Sequence, residues 1–146
     1  MAKILIIDTA VEVAGICLTN GTEILGQETN ATLKEQAGWL QPAIKRLFER
    51  AGLPISAIDA VAVSAGPGSY TGLRVSMSSA KGLCYALSKP LICMNTLKIM
   101  AIAAIRQSMP GSLFCPMIDA RRMEVFTALY DNQLVELVSP QSMVLE

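Results

Sequence analysis

Three β-rich runs crowd the first thirty residues, and helical and strand patterns alternate after them. This order restricts the chain more than any single residue does. Lys3 to Thr9 holds Ile4, Leu5, Ile6 and Ile7 in a row, the pattern of a strand buried on both faces. Val11 to Thr19 is a second strand. Asn20-Gly21 predicts a type I′ hairpin, and Thr22 to Glu28 returns as an edge strand. An amphipathic helix follows over Leu33 to Ala51, with Thr32 and Glu35 as a capping box, Gly52 after its end and Pro42 as a kink or a broken turn inside it. Ala60 to Ala65 is a short strand, Leu73 to Leu87 a helix, Leu91 to Met94 a strand, and Thr96 to Gln107 a helix capped by Thr96. The order βββαβαβα specifies a mixed α/β sheet with helices on its faces.

Leu113 to Ile118, Glu124 to Tyr130 and Leu134 to Val138 then repeat the opening meander without its helices. Residues 1–110 therefore form a first domain. Residues 111–146 form the beginning of a second, truncated one, because three bare strands cannot bury a sheet alone unless they lie against something else.

Composition excludes several classes of function. The 146 residues carry 12 Lys and Arg against 12 Asp and Glu, so bulk charge announces no nucleic-acid clamp. Histidine is absent, which removes His-based metal sites, Ser-His and Cys-His pairs and imidazole acid–base chemistry. Hydrophobic residues make up 52%, which excludes disorder. Cys17, Cys84, Cys93 and Cys115 are too far apart for CxxC motifs and read as small reduced core residues. Such reduced cysteines are expected of a cytoplasmic protein, and no apolar run suits a signal peptide or a membrane span.

The segment between the fourth strand and second helix, Gly66-Pro67-Gly68-Ser69-Tyr70-Thr71-Gly72, is the strongest candidate for chemistry. Backbone N–H groups at such a junction can hold an anion, with Ser69 and Thr71 to cap or to touch phosphate. It matches neither the phosphate-binding GxxxxGK[ST] nor GxGxxG. A turn that only redirects the chain is the competing reading. Asp8 and Thr9 at the end of the first strand suit a Mg-phosphate contact or, equally, a local turn. Asp119, Arg121 and Glu124 read as a structural ion-pair cluster.

The two long helices point to a partner. On the first, Trp39 and Ala43 lie off the assigned core face beside Arg46, which is hot-spot composition. On the second, Gly72, Ser76, Ser79 and Leu83 form a stripe of mainly small residues that would let a helix approach closely. Packing of these helices on each other is the alternative.

Ile4-Leu5-Ile6-Ile7-Asp8-Thr9-Ala10, Ala65-Gly66-Pro67-Gly68-Ser69-Tyr70-Thr71-Gly72-Leu73-Arg74 and Ile118-Asp119-Ala120-Arg121-Arg122-Met123-Glu124-Val125-Phe126 together resemble the TsaB (YeaZ) family over nearly the whole chain. The glycine-rich stretch is the specific one. The resemblance implies an actin-like, ribonuclease H-like fold with two related domains, of which this chain resembles the first and the start of the second. It implies a bacterial cytosolic protein acting in threonylcarbamoyladenosine formation on tRNAs reading ANN codons. In that role it would be a non-catalytic partner and activator of TsaD, joined by the ATPase TsaE, contacting tRNA only through the complex and forming a homodimer when alone. No resident cofactor or metal is implied; ATP with Mg at a site shared with the partner remains open. Asp8, Thr9, Gly66, Gly68, Ser69, Thr71 and Gly72 would be its nucleotide- or anion-contacting set. An actin-like ATP-binding enzyme (an ATPase, a kinase or an M22-type peptidase) is the alternative. Three departures from the family pattern stand out: Gln36 for a histidine, Met123 for a glycine and Phe126 for a tyrosine.

Overall fold

The computed structural model describes residues 1–32 and 35–146. The expected helix start at Leu33 lies outside them. The chain divides into two compact units, residues 1–65 with 69–93, and residues 66–68 with 94–146. The expected boundary at 110/111 therefore does not coincide with the division.

The first unit is a five-stranded sheet ordered β3-β2-β1-β4-β5. Its strands are β1 (Lys3–Asp8), β2 (Ala14–Asn20), β3 (Glu23–Asn30), β4 (Ala60–Ser64) and β5 (Leu91–Met94). β1 pairs antiparallel with β2 and parallel with β4, so the meander feeds a crossover as the order requires. The β2–β3 turn is Gly21-Thr22, and only Gly21 has positive φ. That is the pattern of a type II′ turn and corrects the type I′ turn expected at Asn20-Gly21. β3 is an edge, as expected.

Helices α1 (Gln36–Ala51) and α2 (Tyr70–Leu87) pack on one face of this sheet. Leu5 and Ile7 of β1, Ile16 and Leu18 of β2, and Val61 and Val63 of β4 meet Leu40, Ile44, Leu47 and Phe48 of α1 and Ala80 and Cys84 of α2. β1 is consequently not buried on both faces. Leu5 and Ile7 are buried, but Ile6 is 38% exposed, because side chains alternate across a strand. α1 runs unbroken through Pro42, which faces solvent. Its N-terminal flank is Glu35 without a side-chain cap; the Glu35 N–H donates to the Thr32 carbonyl and the Thr32 N–H to Asn30 Oδ1, so among the described residues the Thr32–Glu35 capping box does not form. At the other end Gly52 is left-handed, and Leu53 N–H donates to the Phe48 carbonyl.

The second unit contains α3 (Thr96–Ile105) and a three-stranded antiparallel sheet, β6 (Met117–Arg121), β7 (Glu124–Tyr130) and β8 (Glu136–Val144). Asn95, not Thr96, caps α3, its side-chain oxygen accepting from the Leu97 and Lys98 N–H groups. Leu97 and Ala101 of α3 pack with Phe114, Ala128 and Tyr130. β6 begins later than expected because Pro116 has no N–H for the ladder; its carbonyl accepts from the Thr127 hydroxyl instead. β8 starts two residues later and runs six further than expected, and every position along it is exposed.

Among the described residues no helix is long and apolar enough to cross a membrane.

Candidate functional site

The loop after β4 is built around the end of β1. Asp8 Oδ1 accepts from the Ser64 hydroxyl at 2.7 Å and from the Ala10 N–H at 3.0 Å. The Thr9 hydroxyl is buried and donates to the Gly72 carbonyl at 2.6 Å. Ser69 N–H donates to the Ala10 carbonyl at 2.7 Å, and Ser69 Oγ accepts from the Gly72 N–H at 3.2 Å. α2 therefore starts at Tyr70, three residues before the sequence pattern indicated, because Ser69 supplies its N-cap. Thr71 is exposed in the first turn.

The seven candidate anion contacts do not share one compact unit. Asp8, Thr9, Ser69, Thr71 and Gly72 belong to the first. Gly66 and Gly68 belong to the second, where the Gly66 carbonyl accepts from the Thr96 N–H at 2.9 Å. Gly66 has φ +108°, which a side chain would strain. Within the first unit the Thr9 hydroxyl gives its proton to the Gly72 carbonyl, whereas Ser69 Oγ accepts from the Gly72 N–H and keeps its own proton to donate. These bonds fix the register of α2 against β1. Ser64, which holds Asp8, was missed by sequence reasoning, since a serine ending an apolar strand carries no separate signal.

The second unit has an apolar pocket of about 280 Å³, lined by Pro67, Leu97, Phe126, Pro140, Gln141 and Ser142. Among the described residues no three Cys, Asp and Glu side chains gather as a metal site requires.

The helical surface of the first unit also corrects two partner assignments. Ala43 is buried in the core, because α1 turns Leu40, Ala43, Ile44, Leu47 and Phe48 inward, while Ala37 is exposed. Ser76 is buried, its hydroxyl donating to the Leu73 carbonyl at 3.2 Å. The buried ridge of α2 is Gly72, Ser76, Ala80 and Cys84, spaced four apart. Ser79 and Leu83 remain half-buried at the rim. With Gln41, Ser78 and Gly82 they line a groove of about 420 Å³, and Gln41 Nε2 donates to Ser79 Oγ at 2.9 Å. Trp39 is half-buried and packs partly on the core. Arg46 pairs with Glu28 of β3 at 2.8 Å, and Arg50 joins the same carboxylate.

The expected cluster after β6 also differs. Asp119 accepts from the Arg121 N–H at 2.7 Å, and no ion pair joins Asp119, Arg121 and Glu124 among the described residues. Only Cys84 of the four cysteines is a buried core residue; Cys17 is half-buried, and Cys93 and Cys115 are exposed. Burial pushes the Cys17 and Cys84 thiols above their usual range, which disfavours the reactive thiolate.

Residues 25–141 match the family described as TsaD, tRNA N6-adenosine threonylcarbamoyltransferase. The chain belongs to this family. Its curated relatives include the tRNA threonylcarbamoyladenosine biosynthesis protein TsaB of Bacillus subtilis (strain 168), 32% identical over 97% of this chain and 62% of that protein. TsaB of Escherichia coli (strain K12) is 32% identical over 89% of this chain and 55% of its own length. The solved structure of YeaZ from Pseudomonas aeruginosa superposes with a TM-score of 0.87 at 29% identity, covering 98% of this chain and 67% of that one. The resemblance to TsaB and the α/β fold expected from it are thus borne out. The chain spans less than two thirds of the length of these two curated relatives.

Proposed function

We propose that this TsaD-family chain is a non-catalytic partner and activator of a TsaD-type protein in threonylcarbamoyladenosine formation on tRNAs reading ANN codons. The observation that carries the reading is its likeness to TsaB along most of its length, and the candidate chemical loop is compatible with it. Thr9 spends its hydroxyl proton on the chain's own backbone, Ser69 serves as the N-cap of α2, and the sequence has no histidine for acid–base or metal work. What remains presentable is the α1–α2 groove, lined by Gln41 of α1 and Ser78, Ser79, Gly82 and Leu83 of α2. A TsaD-type subunit docks there in this reading, a TsaE-type ATPase joins the pair, and a second copy occupies the groove when the partner is missing. Cytoplasmic residence follows from the same role.

Reconstitution tests it. The chain is mixed with its cognate TsaD-type and TsaE-type proteins, and modified nucleoside on an unmodified tRNA is quantified by mass spectrometry. Product that requires the chain is expected; equal product without it refutes the role. Ser79→Arg places a charge in the groove, where an unpaired buried charge costs several kcal/mol, about 3 or more. Heterodimer affinity should fall by about a hundredfold, at about 1.4 kcal/mol per decade, with an unchanged melting temperature. Mg-ATP bound by the chain alone more tightly than about 10 μM would favour a nucleotide enzyme instead.

A further inference from the structure

The neutral net charge hides a strongly uneven distribution. Between Asp59 and Asp119 the sequence has no acidic residue, but it has Arg74, Lys81, Lys89, Lys98 and Arg106. α2 lies wholly inside this stretch. At about 100° per residue, Tyr70, Arg74, Lys81 and Tyr85 fall within an arc of about 60° on the helix. All four are exposed, Tyr70 by 69% and Tyr85 by 90%. The arc lies clear of the buried Gly72, Ser76, Ala80 and Cys84 ridge, and Ser79 of the groove falls outside it.

Two exposed tyrosine rings on one helix need a reason, because a ring left in water forgoes the burial that usually holds it. Arg74 sits over the Tyr70 ring, 4.1 Å from its centroid, so an aromatic ring and a cation stand together at one exposed point of the helix. Neither Arg74 nor Lys81 takes part in an ion pair among the described residues. Their charge is therefore available to an outside anion. Tyr70 and Tyr85 stand about 22 Å apart along the helix axis, with both cations between them. Aromatic platforms interleaved with cations are the chemistry that holds unpaired nucleic acid: bases stack on rings while phosphates meet the cations. An acidic protein segment would use the cations but leave the rings idle.

We propose that the Tyr70–Arg74–Lys81–Tyr85 stripe of α2 is a contact surface for an unpaired stretch of RNA. The identification of that RNA as tRNA rests on the function proposed above; the affinity of the stripe for RNA does not. None of the four residues lines the groove assigned to the protein partner, although Ser78, which does, borders the stripe between Arg74 and Lys81.

Fluorescence anisotropy tests it, using the full chain alone and in its complex with the cognate TsaD-type protein. The probes are an unmodified tRNA transcript and, as competitors, a single-stranded RNA and a fully paired RNA duplex. Arg74→Gln with Lys81→Gln should weaken tRNA binding about tenfold or more and make the log–log salt slope shallower by about 1.4, two single-strand phosphates' worth. Tyr70→Ala with Tyr85→Ala should weaken it about tenfold with little change in that slope. The single strand should compete better than the duplex. Circular dichroism melts and sedimentation with the partner should be unchanged, since all four side chains are exposed. Binding within twofold of the parent for both double variants overturns the proposal, as does loss of partner assembly in place of RNA binding. Failure of the functional reading shows separately, as parent chain that neither assembles with the TsaD-type protein nor promotes nucleoside formation.

Discussion

β2 and β8 have similar lengths and comparable apolar content, yet they fare differently. β2 alternates between buried and half-buried positions along almost its whole length. β8 carries Leu137, Val138, Met143 and Val144 and buries none of its nine residues. The contrast lies in what each strand is packed against. β2 is interior to a five-stranded sheet with two helices on one face, whereas β8 is the edge of a three-stranded sheet. Alternation in a sequence states which side chains share a face; only a second layer turns that face into a core. The edge strand is also irregular, with register shifts against β7 and Pro140 within it, features that discourage pairing with another chain.

The contrast is broken first by truncating one buried and one exposed leucine. Leu5→Ala should cost about 3 kcal/mol, since a fully buried leucine loses contacts and leaves a cavity. Leu137→Ala, at a side chain that is 50% exposed, should stay within about 0.5 kcal/mol. Urea unfolding of both variants decides this, and equal costs would mean that β8 is covered in solution.

A smaller effect should come from the tie between β1 and α2. Thr9→Val removes a buried hydroxyl from the Gly72 carbonyl and should cost about 1–2 kcal/mol in thermal melts. No loss would show that this bond does not hold the loop.

The β6–β7 turn offers a gain instead. Arg121, Arg122 and Met123 are all at positive φ, 68°, 54° and 59°. The left-handed region costs a side-chain-bearing residue about 1 kcal/mol, so Met123→Gly should stabilise the second unit by roughly that amount. Slower amide exchange in β6 and β7 would register it, and faster exchange would refute it.

Smallest of all is Tyr130→Phe. The Tyr130 hydroxyl is buried without a partner among the described residues, and burial raises its pKa. Removing it should be neutral or stabilising by up to about 1 kcal/mol at neutral pH. The raised pKa also has a sign. The neutral phenol is the form the folded unit accepts, so its contribution is complete below the ordinary tyrosine range and is lost as pH rises through the folded value. Alkaline melts should therefore fall less steeply for the phenylalanine variant.

Much of this molecule was legible in one dimension. The order of strands and helices in the first unit follows from periods of two and of about 3.6, which local chemistry alone produces. The specific glycine-rich stretch pointed to the family, because its run of residues is long enough to be distinctive. The ends of elements were less legible. Ser69 and Asn95 became the caps of α2 and α3 because their side chains reached free N–H groups, and neighbouring polar residues could have served on composition alone.

Burial on the helices was decided only in three dimensions. Ala43 and Ala37 are the same residue type on one helix, yet one is in the core and the other in solvent. The difference is the rotation of α1 over the sheet, set by where Leu40, Ile44 and Leu47 find volume to fill. Asp8 and Ser64 are likewise distant in sequence and meet only because β1 and β4 lie side by side in parallel register. Periodicity ranks the positions of a helix relative to one another, but packing chooses the angle at which the whole set is turned inward.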